Sequence, residues 1–578
     1  MRGRPICLAV AAWALMLGGP ATRSAPPAAA PFGEAKAARS ARGMVSAATP
    51  EAALAGARVL EAGGGAVDAA IATAFALAAT YPQAGNLAGG GFAVVRTKDG
   101  EFFALDFRET APAATWRNTY LDAAGAPRGR ASRDGGLAVA TPGTVRGLES
   151  LHRKLGRLSW ARLVAPAVRL AREGFRVHEG LTAQLALSRK VLSRDPEAAR
   201  LFFSGGEPIA PGSLLVQPDL ARTLERIAKG GADAFHTGEV ARRIARFVRA
   251  TGGVLTEADL ARYAPSWRFP FVLDYGRFRL VTMPPPSAGG FLLASILGQL
   301  ETVRGDISSR DAAESLHLIA EAERRAYADR NRFLGDPDCV AIPLARLLAP
   351  ARLAALGFSI DPARATRSSA IAGGAWPGER DQTTHLSTAT ADGEAVALTY
   401  TLNDTFGNGA IVPGTGVLLN NEMDDFSTVP GTANMFGLVQ GEANAVRAGG
   451  RPLSSMTPAI VLEDGRPRFV LGSPGGGTIP TTVLQVFLNA GPRGEPLAEA
   501  VDARRFHHQH LPDRIELEAG AFPEDVKAAL REKGHVVEDR RSDSTHGMLG
   551  QVHAIAFEKD GTLTGVADPR GYGAAAGP

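Results

Sequence analysis

Residues 383–403 read TTHLSTATADGEAVALTYTLN, and few structures suit them. Two period-two runs flank Asp392-Gly393, the signature of a β-hairpin. A two-residue turn pairs Leu386 with Thr399 and mixes polar with apolar side chains. A three-residue loop over Ala391, Asp392 and a left-handed Gly393 pairs Leu386 with Leu398, Thr388 with Val396 and Thr384 with Tyr400. Only that register makes one face mainly apolar, with Leu386, Val396, Leu398, Tyr400 and Leu402. The other face then carries Thr383, His385, Ser387, Thr399, Thr401 and Asn403, with Thr383 opposite Thr401. Small polar side chains suit the floor of a site. The competing reading is a half-buried hairpin with a threonine-rich solvent face, since cross-strand Thr–Thr pairs are common.

A threonine that becomes a chain N-terminus is a complete nucleophile: its hydroxyl attacks and its α-amine takes the proton. The preceding stretch, 362–382, is rich in Ala, Gly, Ser and Arg without a clear period. It is expected to be an exposed, flexible connector, where a chain can be cut and its new ends can part.

The chain has 578 residues, enough for a large core or several domains. Its net charge of +4 includes no block of basic residues, so nucleic acid is not an expected partner. Residues 1–25 have the form of an export signal: Arg2 and Arg4, an apolar run over 6–17, then small residues near Ala21 and Ala25. No later segment has the roughly 18 consecutive apolar residues of a membrane-spanning helix. A periplasmic or secreted enzyme with no membrane attachment after signal removal is expected. Cys339 is then the one cysteine outside the signal, which excludes an intrachain disulfide. It lacks activating neighbours and is read as inert.

Helices are expected over 48–81, broken at Gly63-Gly64-Gly65, and over much of 140–360. A second hairpin is expected over 92–107, and strands near 269–283, 415–419, 458–472, 513–517 and 551–565. Helices near 481–490 and 496–503 complete a helix-rich first part and a strand-rich second part.

Several segments offer chemistry. Residues 472–478, GSPGGGT, join a strand to a helix, and glycine-turn N–H groups there can hold an oxyanion. Arg108, ending a strand, can grip a carboxylate or pair with Asp106 or Glu109. Residues 420–425, NNEMDD, can bind an ammonium group, and 426–445 can act as a lid. Ser454 and Ser455 offer hydroxyls or a turn. Residues 86–91, NLAGGG, stand in the wrong order for a dinucleotide site and read as a structural turn. In the run over His507, His508 and His510 adjacent histidines point to different faces in regular structure, and no acid or histidine partner follows at ligand spacing, so no metal is expected.

Together these segments resemble the γ-glutamyltranspeptidases. The likeness rests on PQAGNLAGGGF (82–92), DFRE (106–109), TPGTV (141–145), MPPPSAGG (283–290), QTTH (382–385), TYTLN (399–403), LLNNEMDDFS (418–427), RPLSSM (451–456), GSPGG (472–476), RFHHQ (505–509) and DPR (568–570). It implies an α+β N-terminal nucleophile hydrolase with a four-layer αββα core. It also implies a precursor that cuts itself at the Gln382-Thr383 bond. The expected parts are a signal over 1–25, a large subunit over 26–382 with a linker over 26–43, and a small subunit over 383–578, associated as a heterodimer.

By the same resemblance Thr383 is the nucleophile, Thr401 orients it, and Gly475 and Gly476 form the oxyanion hole. Arg108, Ser454 and Ser455 hold an α-carboxylate; Asn403, Glu422 and Asp425 hold an α-ammonium. Substrates are glutathione and other γ-glutamyl compounds, with water or an acceptor amino acid or peptide completing turnover, and no cofactor is needed. Glu422 stands where some bacterial relatives carry glutamine, and Phe436 where some carry a lid tyrosine. The rival readings are a glutaryl-type cephalosporin acylase and an inactive γ-glutamyl-binding protein.

Overall fold

The computed structural model describes residues 35–309, 311–371, 383–435, 437–540 and 548–578. The export-signal region, Gln382 and Phe436 lie outside them.

Two seven-stranded sheets form the centre. The first runs, edge to edge, Lys36–Ser40, Leu563–Ala567, His553–Phe557, Arg466–Leu471, Ala459–Glu463, Phe278–Thr282 and Phe271–Tyr275. The second runs Ala574–Ala576, Gly43–Ala47, Thr384–Thr390, Ala395–Thr401, Gly90–Arg96, Phe102–Asp106 and Ser266–Arg268. Alternation along the strands divides their side chains between two cores. Phe92, Val94, Ala389 and Ala397 share one core with Ile460, Val470 and Ile555 between the sheets. Val45, Val95, Leu386, Val396, Leu398 and Tyr400 face the helices Pro50–Glu61, Ala66–Thr80 and Trp160–Glu173. Helices Gly289–Leu300, Ala313–Phe333 and Ile479–Ala490 cover the first sheet's outer face. The order is therefore helix, sheet, sheet, helix, the expected four layers.

The hairpin register is the one its pattern selects: Thr384 pairs with Tyr400, Leu386 with Leu398 and Thr388 with Val396. Gly393 turns with φ +90°, in the left-handed region. The polar face differs from a solvent face or a simple site floor. Below Thr383 and Thr401 it is buried between the sheets, where His385 bonds Thr399 at 2.8 Å and Ser387 at 3.0 Å, and Ser387 donates to the His553 carbonyl at 2.8 Å. Polar groups are tolerated there because they satisfy one another. Burial holds the His385 imidazole well below its usual pKa and therefore neutral.

The break at 63–65 falls where expected, between the helices Pro50–Glu61 and Ala66–Thr80. Thr49 caps the first, accepting from the Ala52 N–H at 3.3 Å, and Pro50 takes the first turn. All of Ala66–Thr80 is buried, so this alanine-rich helix shows no polar face.

Two expectations about connections need correction. Within the 26–43 linker, Lys36–Ser40 is an edge strand on Leu563–Ala567. Backbone pairing makes that strand, and its side chains give no apolar alternation to reveal it. Of the 362–382 connector, the described part is anchored. Ser368 is buried, its N–H donates to Asp513 at 2.7 Å and its hydroxyl to the His510 carbonyl at 2.6 Å. The Ala365 N–H donates to the Lys533 carbonyl at 2.7 Å, and the Thr366 N–H to Glu321 at 3.1 Å. Those partners are far away in sequence, so local composition does not show them. Cys339 is exposed, and partial burial and Asp336 push its thiol pKa up, which disfavours the thiolate.

Candidate active site

The open end of the hairpin meets the glycine turn, the 420–425 segment and the Ser454-Ser455 segment at one pocket. Its lining includes Thr383, Thr401, Asn403, Arg108, Glu422 and Asp425. Ser454, Ser455 and Gly476 also line it, whereas Gly475, the other expected oxyanion-hole residue, lies just outside the lining.

Thr383 immediately precedes the strand Thr384–Thr390, and its hydroxyl lies 3.5 Å from that of Thr401. The Thr401 hydroxyl also accepts the Asn403 N–H at 2.8 Å. Asn403 adopts a left-handed backbone, φ 78°, which asparagine tolerates better than most residues. Its side-chain amide donates to the Asn421 carbonyl at 3.0 Å. One side of the Thr pair is thus fixed by the chain leaving the strand.

The other side is fixed by residues read from sequence only as a glycine turn. Asn86 donates to the Thr401 carbonyl at 2.9 Å and accepts from the Gly89 N–H at 2.8 Å and the Thr144 hydroxyl at 2.7 Å. A Cβ on Gly89 would sit 1.9 Å from the Thr401 carbonyl oxygen. Gly89→Ala must therefore displace the Thr401 backbone or the Asn86 turn that holds it. We expect a stability loss of about 1–3 kcal/mol and slower appearance of any N-terminus at Thr383. Thermal unfolding and a time course on denaturing gels measure the two effects.

Arg108 is fully buried, unlike a surface ion-pair residue. Its guanidinium bonds Glu422 and Asp425, reaches Glu109 at 3.5 Å and donates Nε–H to the Pro452 carbonyl at 3.2 Å. Burial opposes the arginine's charge, but Glu422, Asp425 and Glu109 outweigh it and raise its pKa. The carboxylates are only partly compensated. Burial lifts Glu109 to about 7 and Asp425 to about 8, and holds Glu422 well above the usual range, with Arg108 pulling each back. Glu109 and Glu422 also bond each other side chain to side chain, which lowers the Glu109 pKa and raises that of Glu422. Three acids on one arginine form a pole suited to an ammonium group.

The neighbouring acid and amides do other work. Asp424 accepts from the Ser132 hydroxyl at 2.5 Å and the Met435 N–H at 2.9 Å. Asn420 accepts the Ala140 and Glu422 N–H groups at 2.9 and 3.1 Å. Gln440 and Asn444 both donate to the Asp425 carbonyl, at 3.1 and 2.6 Å. The segment expected as a lid thereby braces the acidic side of the pocket, and Leu438 lines it.

The glycine turn follows the strand Arg466–Leu471 and leads through a short 3-10 turn into the helix Ile479–Ala490. Gly475 and Gly476 have φ of 137° and 51°, so both lie outside the common backbone range of residues with side chains. The turn closes with the Thr478 N–H on the Gly475 carbonyl at 2.9 Å. Ser454 accepts the Met456 N–H at 3.1 Å, and Ser455 accepts from Arg330 at 3.3 Å. Arg330, on the helix Ala313–Phe333, also lines the pocket and was not anticipated from sequence.

The histidine run serves structure. His507 bonds Thr481 at 2.8 Å and Gln509 at 2.9 Å, whereas the His508 ring faces Asp513 at 3.6 Å. Among the described residues no cluster of His, Cys, Asp and Glu is placed to hold a metal. RFHHQ and DPR meet in a buried ion network, in which Arg505 bonds Asp568 at 2.7 Å and Arg570 bonds Glu518 at 2.6 Å.

Known proteins share this architecture and sequence. A family model described as γ-glutamyltranspeptidase matches residues 52–578. The glutathione hydrolase proenzyme of Escherichia coli K12 is 44% identical over 534 residues, covering 92% of this chain and 91% of that one. The cephalosporin acylase of Bacillus halodurans superposes with a TM-score of 0.81 at 26% identity, covering 98% of this chain and 99% of that one. The γ-glutamyltranspeptidase of Helicobacter pylori superposes with a TM-score of 0.55 at 39% identity, covering 56% of this chain and 93% of that chain.

Proposed function

This chain belongs to the γ-glutamyltranspeptidase family, and on that premise we propose that it cuts itself at the Gln382-Thr383 bond and works through Thr383. Its activity is that of a γ-glutamyltransferase and glutathione hydrolase, made as a proenzyme. The observation that carries the site assignment is the pocket in which Thr383 and Thr401 face Arg108, Glu422 and Asp425.

In the precursor the Thr383 nitrogen is an amide and cannot act as a base. The Thr383 Oγ1 attacks the Gln382 carbonyl carbon, its proton passes to the departing nitrogen, the peptide C–N bond breaks, and the acyl group moves to oxygen. Water then opens the ester, leaving a Gln382 carboxylate and a Thr383 α-amine. An α-amine has a pKa of roughly 7.7–8.0 and serves as a base near neutral pH. In the mature enzyme it takes the Oγ1 proton while oxygen attacks the γ-carbonyl carbon of glutathione. The Gly475 and Gly476 N–H groups receive the oxyanion. The C–N bond breaks as the amine passes its proton to the departing nitrogen, and cysteinylglycine leaves. Water or an acceptor amine attacks the γ-glutamyl ester and restores Thr383.

In this reading Asn403, Glu422 and Asp425 hold the α-ammonium, and Arg108, Ser454 and Ser455 the α-carboxylate. Each sheet combines strands from before and after Thr383, which supports large and small subunits remaining together after the cut. The N-terminal signal pattern supports a periplasmic or secreted location. Among the described residues no helix is long and apolar enough to cross a membrane.

Intact mass with N-terminal sequencing tests the assignment: two chains are expected, one starting at Thr383 and the other beyond the signal. Active material made only of uncut chain would refute it. A glutaryl acylase is the alternative that the fold also serves. The acids around Arg108 disfavour it, because a glutaryl group brings no ammonium to them. We expect kcat/KM at least about tenfold higher for γ-glutamyl p-nitroanilide than for glutaryl p-nitroanilide, the effect of one unmatched polar contact. Preference for the glutaryl compound would reverse the choice.

A further inference from the structure

Side-chain hydroxyls hold the glycine turn, 473–478, from behind. The Ser473 hydroxyl donates to the Pro474 carbonyl at 2.7 Å, that of Thr478 to the Gly475 carbonyl at 2.8 Å, and that of Tyr327 to the Gly477 carbonyl at 2.5 Å. The Thr478 N–H also reaches the Gly475 carbonyl, at 2.9 Å, so that oxygen takes two donors. No acceptor among the described residues takes the Gly475 or Gly476 N–H. A peptide unit is planar, and in its trans form the C=O and N–H point opposite ways. The Gly475 carbonyl and the Gly476 N–H belong to one such unit, so donors on the carbonyl fix the direction of the N–H. Gly476 lines the pocket that holds Thr383. The Thr478 hydroxyl comes this close because residue 475 is glycine: a Cβ there would sit 2.6 Å from Thr478 Oγ1.

We propose that Thr478 is a positioning residue of the reaction, whose hydroxyl aims and polarises the Gly476 N–H that receives the oxyanion. The proposal rests on the reading of Gly476 as part of the oxyanion hole. A threonine that bonds back to the carbonyl of residue i−3 is common in itself. This bond differs in where it lands, on the carbonyl that shares a peptide with the Gly476 N–H. Donation to a carbonyl oxygen draws charge out of the peptide and makes its N–H a stronger donor, as along any chain of hydrogen bonds. Thr478 is fully buried, and its hydroxyl has no other partner among the described residues, so water does not dilute the effect. Ser473 holds the neighbouring peptide, but its hydroxyl also accepts the Gln551 N–H at 3.0 Å and so ties two chain segments together. Thr478 can lose its hydroxyl without cutting such a tie, because its N–H keeps the turn closed on Gly475. The gain falls on the transition state: the neutral γ-carbonyl calls on the N–H weakly and the oxyanion strongly.

The test compares Thr478→Val, which keeps the shape and loses the hydroxyl, with Thr478→Ser, which keeps the hydroxyl. Both are first checked for the cut before Thr383. Thr478→Val is expected to lower kcat/KM for γ-glutamyl p-nitroanilide about three- to tenfold, the effect of one neutral hydrogen bond. The inhibition constant of glutamate, which binds without forming a tetrahedral centre, should stay within about twofold of the parent value. The second probe is glutamate with B(OH)₂ in place of its γ-carboxyl. Thr383 Oγ1 adds to boron, its proton passes to the α-amine, and boron becomes the centre of a tetrahedral anion. Affinity for this compound should fall by the same factor as kcat/KM. Thr478→Ser should recover most of both losses. Equal weakening of glutamate and the boronate, an unchanged kcat/KM in Thr478→Val, no recovery in Thr478→Ser, or an uncut Thr478→Val chain would each overturn the proposal. An unsubstituted enzyme that holds the boronate no more tightly than glutamate would instead overturn the reading of an oxyanion hole at this turn.

Discussion

Thr383→Ala is expected to remain one uncut chain with no measurable turnover of γ-glutamyl p-nitroanilide. The substitution removes the oxygen that opens the Gln382-Thr383 bond and, in the same stroke, the oxygen that accepts the acyl group. Without the cut there is also no α-amine to act as base. Losing a nucleophile of this kind costs on the order of 10⁴-fold or more in rate, and here self-processing fails with it. The fold should survive. Thr383 precedes its strand, and its contact to the Thr401 hydroxyl is long, 3.5 Å, so the melting temperature should stay close to that of an uncut parent chain. Thr383→Ser keeps the oxygen and should still cut, more slowly. Denaturing gels, N-terminal sequencing and thermal melts separate these outcomes, and two subunits recovered from Thr383→Ala would remove Thr383 from the mechanism.

The site was legible where local pattern and global packing agree. Asp392-Gly393 and the alternation on either side fixed the hairpin register, and with it the approach of Thr383 to Thr401. The glycine run after 469–471 marked a strand-to-helix turn, and it is one. Legibility failed where a partner lies far along the chain. Asn86 looked like part of a glycine turn, yet its side chain holds the Thr401 carbonyl, 315 residues on. An asparagine opening such a turn, with a side chain able to bind several backbone groups at once, was the signal available. Arg330 sits in AYADRNRF, whose charges would ordinarily face solvent. Tertiary packing instead buries Glu321, Glu323, Arg324, Arg325 and Arg330 on that one helix. The polar hairpin face carried a related ambiguity. Period two says which side chains share a face and cannot say whether water, ligand or another sheet covers it. His385 and Ser387 are covered by a sheet, whereas Thr383 and Thr401 open on the pocket.

Arg108→Ala should damage both binding and stability, because Arg108 organises the acids as well as facing the substrate. Removing one member of a buried, hydrogen-bonded charge cluster costs about 2–5 kcal/mol in binding, so KM for γ-glutamyl p-nitroanilide should rise at least about thirtyfold. An unchanged KM would take Arg108 out of the site. Folding should lose about 3–5 kcal/mol if Glu422, Asp425 and Glu109 stay ionised without their partner. They can reduce that loss by taking up protons, which fixes the sign of the pH effect. Burial already lifts Glu109 to about 7 and Asp425 to about 8, while unfolded carboxyls titrate near 3.9–4.3. The folded state therefore binds more protons than the unfolded state between those limits. The stability these protonated groups contribute is complete below the unfolded values and is lost as pH rises through the folded ones. Without Arg108 the folded values climb further, so the variant's melting temperature should fall more steeply from pH 5 to pH 9 than the parent's. The acids must ionise to hold an ammonium group, so lowering the pH to recover stability should worsen KM further. Parallel slopes of melting temperature against pH in the two proteins would show that Arg108 does not hold these carboxylates in their charged form.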